Sequence, residues 1–199
     1  MLSIDIETIR KNAMAACADQ FERIDTICLH NTEKVLQAYK DAQISSYQFA
    51  GTSGYGYSDM GREKLDEVFA RVFKAEKAIV RPHFVSGTHA LATVLLALLQ
   101  QGDLMMSLIG APYDTMQGVI GYAHETPHSL KEKGVLYQEV PLKDNAYDLE
   151  GIRDAVQKNQ PKLVLIQRSR GYSTRASLKI SDIRTIIQTV KAVSPQTIC

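Results

Sequence analysis

Residues 78–120 read AIVRPHFVSGTHALATVLLALLQQGDLMMSLIGAPYDTMQGVI, and the reading of this stretch decides the fold. Ala78–Phe84 has the short apolar run of a strand, and Ser86–Gln100 is a strongly apolar helix. Leu104–Leu108 is a second strand, and a loop holding Gly110, Pro112 and Tyr113 leads into a short helix at Thr115–Ile120. The same alternation continues outward. Upstream, Arg62–Phe73 is amphipathic, with Leu65, Val68, Phe69 and Val72 on one face. Downstream come a strand at Val135–Val140, a helix at Asp148–Lys158, a buried strand at Lys162–Gln167 (KLVLIQ) and a helix at Ser181–Val193 capped by Ser181 or Asp182. Thr197–Ile198–Cys199 enters a further strand. Strands alternating with helices specify βαβ units, hence an α/β fold with a mostly parallel sheet and flanking helices.

The first 42 residues carry a different pattern. Ile9, Ala13, Cys17, Phe21, Ile24 and Cys28 recur at steps of three or four among charged residues, which predicts helix, with a break near His30–Asn31. Gln43–Gly61 has no such period; Gly51, Gly54, Gly56 and Gly61 interleave with Tyr47, Tyr55 and Tyr57. This loop is either a binding element or a linker. The division expected is a helical segment over 1–45 and a larger domain over 46–199 that is incomplete at its C-terminal end.

Composition narrows the function classes. The 199 residues are 45% hydrophobic and carry 23 Lys plus Arg against 22 Asp plus Glu, a formal charge of +1. A balanced chain of this kind has no electrostatic footprint for nucleic acid or an anionic membrane. The longest apolar stretch, Leu91–Leu99, is too short to span a bilayer, and acidic residues occupy the N-terminus where a signal peptide would be basic and then apolar. Cys17, Cys28 and Cys199 form neither a disulfide framework nor a metal pattern, so the expectation is a cytoplasmic protein with reduced thiols. No metal site is expected: neither His83 with His89 nor His124 with His128 sits in an H-E-x-x-H motif. The P-loop, G-x-G-x-x-G and G-x-S-x-G patterns are absent as well.

Ligands of open α/β sheets collect at strand carboxyl ends and the helix N-termini that follow. Three such junctions stand out. Val85–Ala90 (VSGTHA) offers hydroxyls and a glycine at a helix start, which could serve an anion but on this segment alone reads as a plain N-cap. Gly110–Thr115 (GAPYDT) holds an aromatic that could lie against a planar ring, and also reads as a turn followed by a cap. Gln167–Tyr172 (QRSRGY) puts two arginines directly after a buried strand, where they meet either an anion or water.

Taken in order, GYGYSDMGREKLDEVFARVF, AIVRPHFVSGTHAL, GAPYDTMQGVIG and LIQRSRGYSTRASL resemble the methionine gamma-lyase-like or aluminium-resistance family, related to cystathionine beta-lyase. The resemblance runs from about Tyr47 to Ser194. It implies a pyridoxal 5'-phosphate (PLP) enzyme of the aspartate-aminotransferase fold, a carbon–sulfur lyase acting on sulfur amino acids by β- or γ-elimination, and a homodimer or homotetramer. It also implies roles. Ser86, Gly87 and Thr88 match the segment that cradles the PLP phosphate, Tyr113 the aromatic that stacks on the pyridine ring, and Arg168 and Ser169 the strand end facing the ring's phenolic oxygen. Tyr55 and Tyr57 match the region that sends a tyrosine to the neighbouring subunit's phosphate. Relatives place an arginine two positions later, whereas Asp59 stands here and Arg62 is the nearest alternative.

The same resemblance puts the Schiff-base lysine and the acidic partner of the pyridine nitrogen beyond Ile198. Lys162, Lys179 and Lys191 read as structural, so the chain is expected to be the front part of an enzyme, inactive alone. Two other readings stay open: a transaminase or decarboxylase of the same fold, and a non-catalytic module that only binds or oligomerises.

Overall fold

A computed structural model describes residues 5–57 and 59–199. Two compact units emerge, Met1–His83 and Phe84–Cys199.

The first unit is helical. α1 (Ile6–Ala16) starts at Asp5, whose carboxylate accepts from the Glu7 and Thr8 N–H groups. α2 (Ala18–Asp41) follows after a single non-helical residue, Cys17. The break therefore lies at Cys17 and not at His30–Asn31. Asn31 is absorbed into α2 because its side-chain amide donates to the Ile27 carbonyl (2.8 Å) instead of capping a new helix. α3 (Met60–Phe73) is capped by Asp59, which accepts from the Arg62 N–H at 3.1 Å. Ala38 and Ala42 of the α2 end bury against Val68 of α3, with Ile44 and Val72 alongside.

Ala78–Phe84 is not a strand. Asp66 of α3 captures it: its carboxylate accepts from the Val80 N–H (2.7 Å) and from both terminal nitrogens of Arg81 (2.7 and 2.8 Å). A backbone donor satisfied by a side chain has no need of a sheet ladder, and Pro82 could not donate to one.

The second unit is the α/β sandwich that the alternation predicts. In order it holds α4 (Gly87–Leu98), β1 (Leu104–Ser107), α5 (Asp114–Ile120), β2 (Leu136–Glu139), α6 (Leu149–Asn159), β3 (Leu163–Leu165) and α7 (Ile180–Val193). The strands lie β2–β1–β3, all parallel, with Met105 opposite Tyr137 on one side and Leu163 on the other. Neighbouring residues of β1 serve opposite faces, as the two-residue period of a strand requires. Met105 packs with Leu95, Leu99, Met116 and Ile120 of the α4–α5 layer. Met106 packs with Ile152, Val156, Ile186 and Val190 of the α6–α7 layer. α7 begins one residue earlier than expected, and Asp182 closes its first turn by accepting from the Lys179 N–H at 2.7 Å.

Ile198 extends the sheet beyond β3, bridging Leu163 in parallel. Buried Thr197 anchors it, donating to the Pro161 carbonyl (2.7 Å) and to Ser194 (2.8 Å). The connection leaving β1 thus runs to one side of the sheet through α5, and the one leaving β3 runs to the other through α7. The carboxyl ends of β1 and β3 flank a topological switch point, where open α/β sheets bind ligands.

Candidate functional site

Three segments of the second unit meet at this switch point. The first is the start of α4. Ser86 is extended (φ −160°, ψ 166°) and its hydroxyl accepts from the His89 N–H at 3.1 Å. The Gly87 and Thr88 N–H groups belong to the first turn and have no acceptor within the helix. A Cβ added at Gly87 would meet nothing within 4 Å, so the backbone here is open to approach.

The second segment follows β1. Gly110 turns the chain with φ +68°, a conformation few other residues accept. Ser107, buried at the end of β1, donates to the Gly110 carbonyl at 2.6 Å and holds the turn against the strand. Gln117 reaches back to the Pro112 carbonyl at 2.6 Å. Tyr113 is thereby delivered to the start of α5. Its hydroxyl lies 3.2 Å from Thr88 Oγ1, which in turn lies 3.0 Å from Thr115 Oγ1. Asp114 does not cap α5 from the N-cap position, which Tyr113 occupies; its carboxylate accepts from the adjacent Thr115 N–H.

The third segment follows β3. Gln167 spans the gap to the second segment, its Oε1 accepting from the Tyr113 N–H at 2.9 Å while its Nε2 donates to the Ser169 carbonyl at 2.7 Å. Gly171 passes close to Tyr113, since a Cβ there would stand 3.8 Å from the tyrosine Cβ. Ser169 is exposed, and its hydroxyl accepts from the Gly171 N–H. Arg168 is also exposed and donates through Nε to the Leu178 carbonyl of its own loop.

Ser86, Gly87, Thr88, Tyr113, Arg168 and Ser169 therefore belong to three segments that converge. Tyr55 and Tyr57 belong to the first unit and are 82% and 84% exposed. Their loop is shaped by Arg62, which pairs with Asp59 (3.1 Å) and donates to the Gly54 carbonyl (2.9 Å). Among the described residues no group of three His, Cys, Asp or Glu side chains is placed to hold a metal ion.

Sequence reasoning passed over Arg175, which is only 4% exposed. Its guanidinium donates to the carbonyls of Gln167 (2.9 Å), Ser169 (2.7 Å) and Ala176 (3.0 Å). Burial, aided by the charge of Arg170, pulls its pKa below the usual arginine value. One signal was available: residues 166–181 contain Arg168, Arg170, Arg175 and Lys179 and no acidic residue. Such a run favours an anion as its counter-charge.

Comparison with known proteins puts this geometry in context. The chain is 37% identical over 193 residues to the uncharacterized protein YnbB of Bacillus subtilis, covering 94% of this chain and 46% of that one. It is similar to the carbon–sulfur lyase involved in aluminium resistance from Clostridium novyi (TM-score 0.88, 40% identity, 98% of this chain and 50% of that one). A candidate cystathionine beta-lyase involved in aluminium resistance from Clostridium acetobutylicum gives TM-score 0.87 and 42% identity over 92% of this chain and 45% of its own. The PLP-dependent protein YhfS of Escherichia coli, at 20% identity and TM-score 0.58 over 82% of this chain and 41% of its own, shares the fold alone. The chain spans about half the length of these relatives. Its parallel sheet accords with these folds, and a match to the methionine gamma-lyase family over residues 6–199 shows that the chain belongs to that family.

Proposed function

We propose that the protein is a PLP-dependent carbon–sulfur lyase acting on a sulfur amino acid by β- or γ-elimination, and that this chain carries part of the cofactor pocket. The observation behind the reading is the meeting of Ser86–Thr88, Tyr113 and Gln167–Gly171 where β1 and β3 end. The residues fit a phosphorylated aromatic ring. The first-turn N–H groups of α4 and the Thr88 hydroxyl suit a phosphate. Tyr113, held at its backbone and its hydroxyl, offers a flat face beside them. Arg168 and Ser169 stand at the strand end, where a donor can meet a phenolic oxygen.

PLP, when bound, supplies an electron sink that stabilises negative charge at the substrate α-carbon. The part of this chain is to bind and orient: Ser86 fixes the helix start, Thr88 links it to Tyr113, and the β3 loop contributes positive charge. Tyr55 and Tyr57 are available to a neighbouring subunit of a homodimer or homotetramer. Exposed apolar residues of α1 and α2, among them Ile9, Ile24 and Ile27, support such an assembly. A cytoplasmic setting is supported by three thiols without a disulfide; in addition, no helix among the described residues is long and apolar enough to cross a membrane.

Titration of the purified chain with PLP tests the pocket. A ligand bound only by the folded state stabilises it by about 2.7 kcal/mol at a hundred times Kd. The unfolding midpoint should rise with PLP, and inorganic phosphate should compete. A midpoint indifferent to both overturns the pocket. The lyase reaction is read as 2-oxo acid and ammonia released from a sulfur amino acid; amino-group transfer without that release would make the protein a transaminase.

A further inference from the structure

We infer that Gln167, locked by the buried guanidinium of Arg175, is the positioning residue that sets Tyr113 in its place beside the start of α4; this rests on the ring-and-phosphate reading above. Gln167 lies 54 residues from Tyr113 in sequence, yet its side chain joins the loop after β3 to the loop after β1. One end of its amide accepts from the Tyr113 N–H and the other donates to Ser169. An amide is suited to this work, because it presents an acceptor and a donor on one rigid plane.

Arg175 removes the freedom that a loop glutamine would otherwise keep. It holds the Gln167 carbonyl and the Ser169 carbonyl with the same terminal nitrogen, and the Ala176 carbonyl with the other. The main chain that carries Gln167 and the Ser169 carbonyl to which its amide donates are thereby fixed to one buried, planar cation. Burying a guanidinium without a carboxylate partner is costly, so its three carbonyl acceptors must be kept in place for the fold to tolerate it. Tyr113 in turn is pinned twice, at its N–H by Gln167 and at its hydroxyl by Thr88. The phosphate-binding N–H groups of Gly87 and Thr88 do not depend on the first pin. Gln167 therefore governs affinity for the ring and leaves affinity for the phosphate alone.

The test compares PLP and inorganic phosphate as probes, by calorimetric or thermal titration of the wild-type chain, Gln167→Leu, Tyr113→Leu and the double variant. Gln167→Leu is expected to weaken PLP about tenfold, the size of a lost hydrogen bond in a partly buried setting. Inorganic phosphate should bind it as it binds wild type. The double variant should bind PLP no worse than Tyr113→Leu, because the two residues act through one contact. Equal losses for both probes would make Gln167 a structural residue and overturn the inference, as would no loss for either or additive losses in the double variant. A wild-type chain that binds phosphate but not PLP, or neither, overturns the ring-and-phosphate reading itself and this inference with it; that result is visible before any variant is compared.

Discussion

Arg81 reaches from the segment after α3 to Asp66 and makes a two-pronged ion pair at 2.7 and 2.8 Å, with both side chains about a fifth to a quarter exposed. Arg175 sits deeper, beyond β3, and meets three carbonyl oxygens and, among the described residues, no carboxylate. The two arginines do related mechanical work: Arg81 ties an irregular segment to α3, and Arg175 ties together main-chain positions of the loop after β3. Their electrostatic results differ. The Arg81 charge is neutralised where it stands, as is that of Arg62 by Asp59. The Arg175 charge is left in the second unit, close to the junction that gathers Ser86–Thr88 and Tyr113. Scaffolding alone is served by a paired arginine, while an arginine caged by carbonyls also leaves a field for an anion.

The largest effect should come from removing the caged cation. Arg175→Met strands three carbonyls whose partner is lost, and the expected cost is about 3 kcal/mol in denaturant unfolding. Arg81→Met should cost clearly less, because Asp66 is partly solvated and still accepts from Val80. Equal costs would erase the distinction between the two arginines. A smaller effect follows from giving Arg175 a carboxylate. Gln167→Glu keeps an acceptor for the Tyr113 N–H but sets a negative charge beside the Ser169 carbonyl that Arg175 shares. Phosphate affinity should fall several-fold at low salt, and the difference from wild type should shrink as salt is raised.

The smallest effect is on the pH dependence of the first unit. Hydrogen bonding from Arg81 holds the Asp66 carboxyl below its ordinary value of 3.8; burial opposes the shift and the Val80 N–H adds to it. A carboxyl depressed in the folded state stabilises it fully above the unfolded value, and that share is lost as pH falls through the folded one. Asp66→Asn lacks this contribution at every pH. Wild type and variant should therefore differ in unfolding midpoint at neutral pH and converge well below pH 3.8. A constant gap would remove the ion pair from the account.

Much of the second unit was legible because β1 and β3 are short, mainly apolar runs. Leu104–Ser107 and Leu163–Leu165 are buried on both faces and flanked by helices with a clear period. The Ser–Gly–Thr junction and Tyr113, each read alone, suit a cap or a turn as well as a ligand; their place in the ordered set of family-like segments is what singled them out. Ala78–Phe84 misled because strand propensity is local, whereas its fate is decided by a carboxylate on the preceding helix. The break at Cys17 has no glycine or proline to announce it. Arg175 was harder to read: its partners are main-chain oxygens, which every sequence has, and only the acid-free run over residues 166–181 pointed to it.

The central strand spends two adjacent methionines on its two faces, Met105 at 0% exposure and Met106 at 1%, with Met116 equally enclosed. Peroxide converts a thioether to a sulfoxide only where it can reach the sulfur. Met14 and Met60, 49% and 42% exposed, should be oxidised first. The three enclosed sulfurs should wait for the sheet to come apart, so peptide mass spectrometry over time would clock that opening with an internal standard supplied by the same chain.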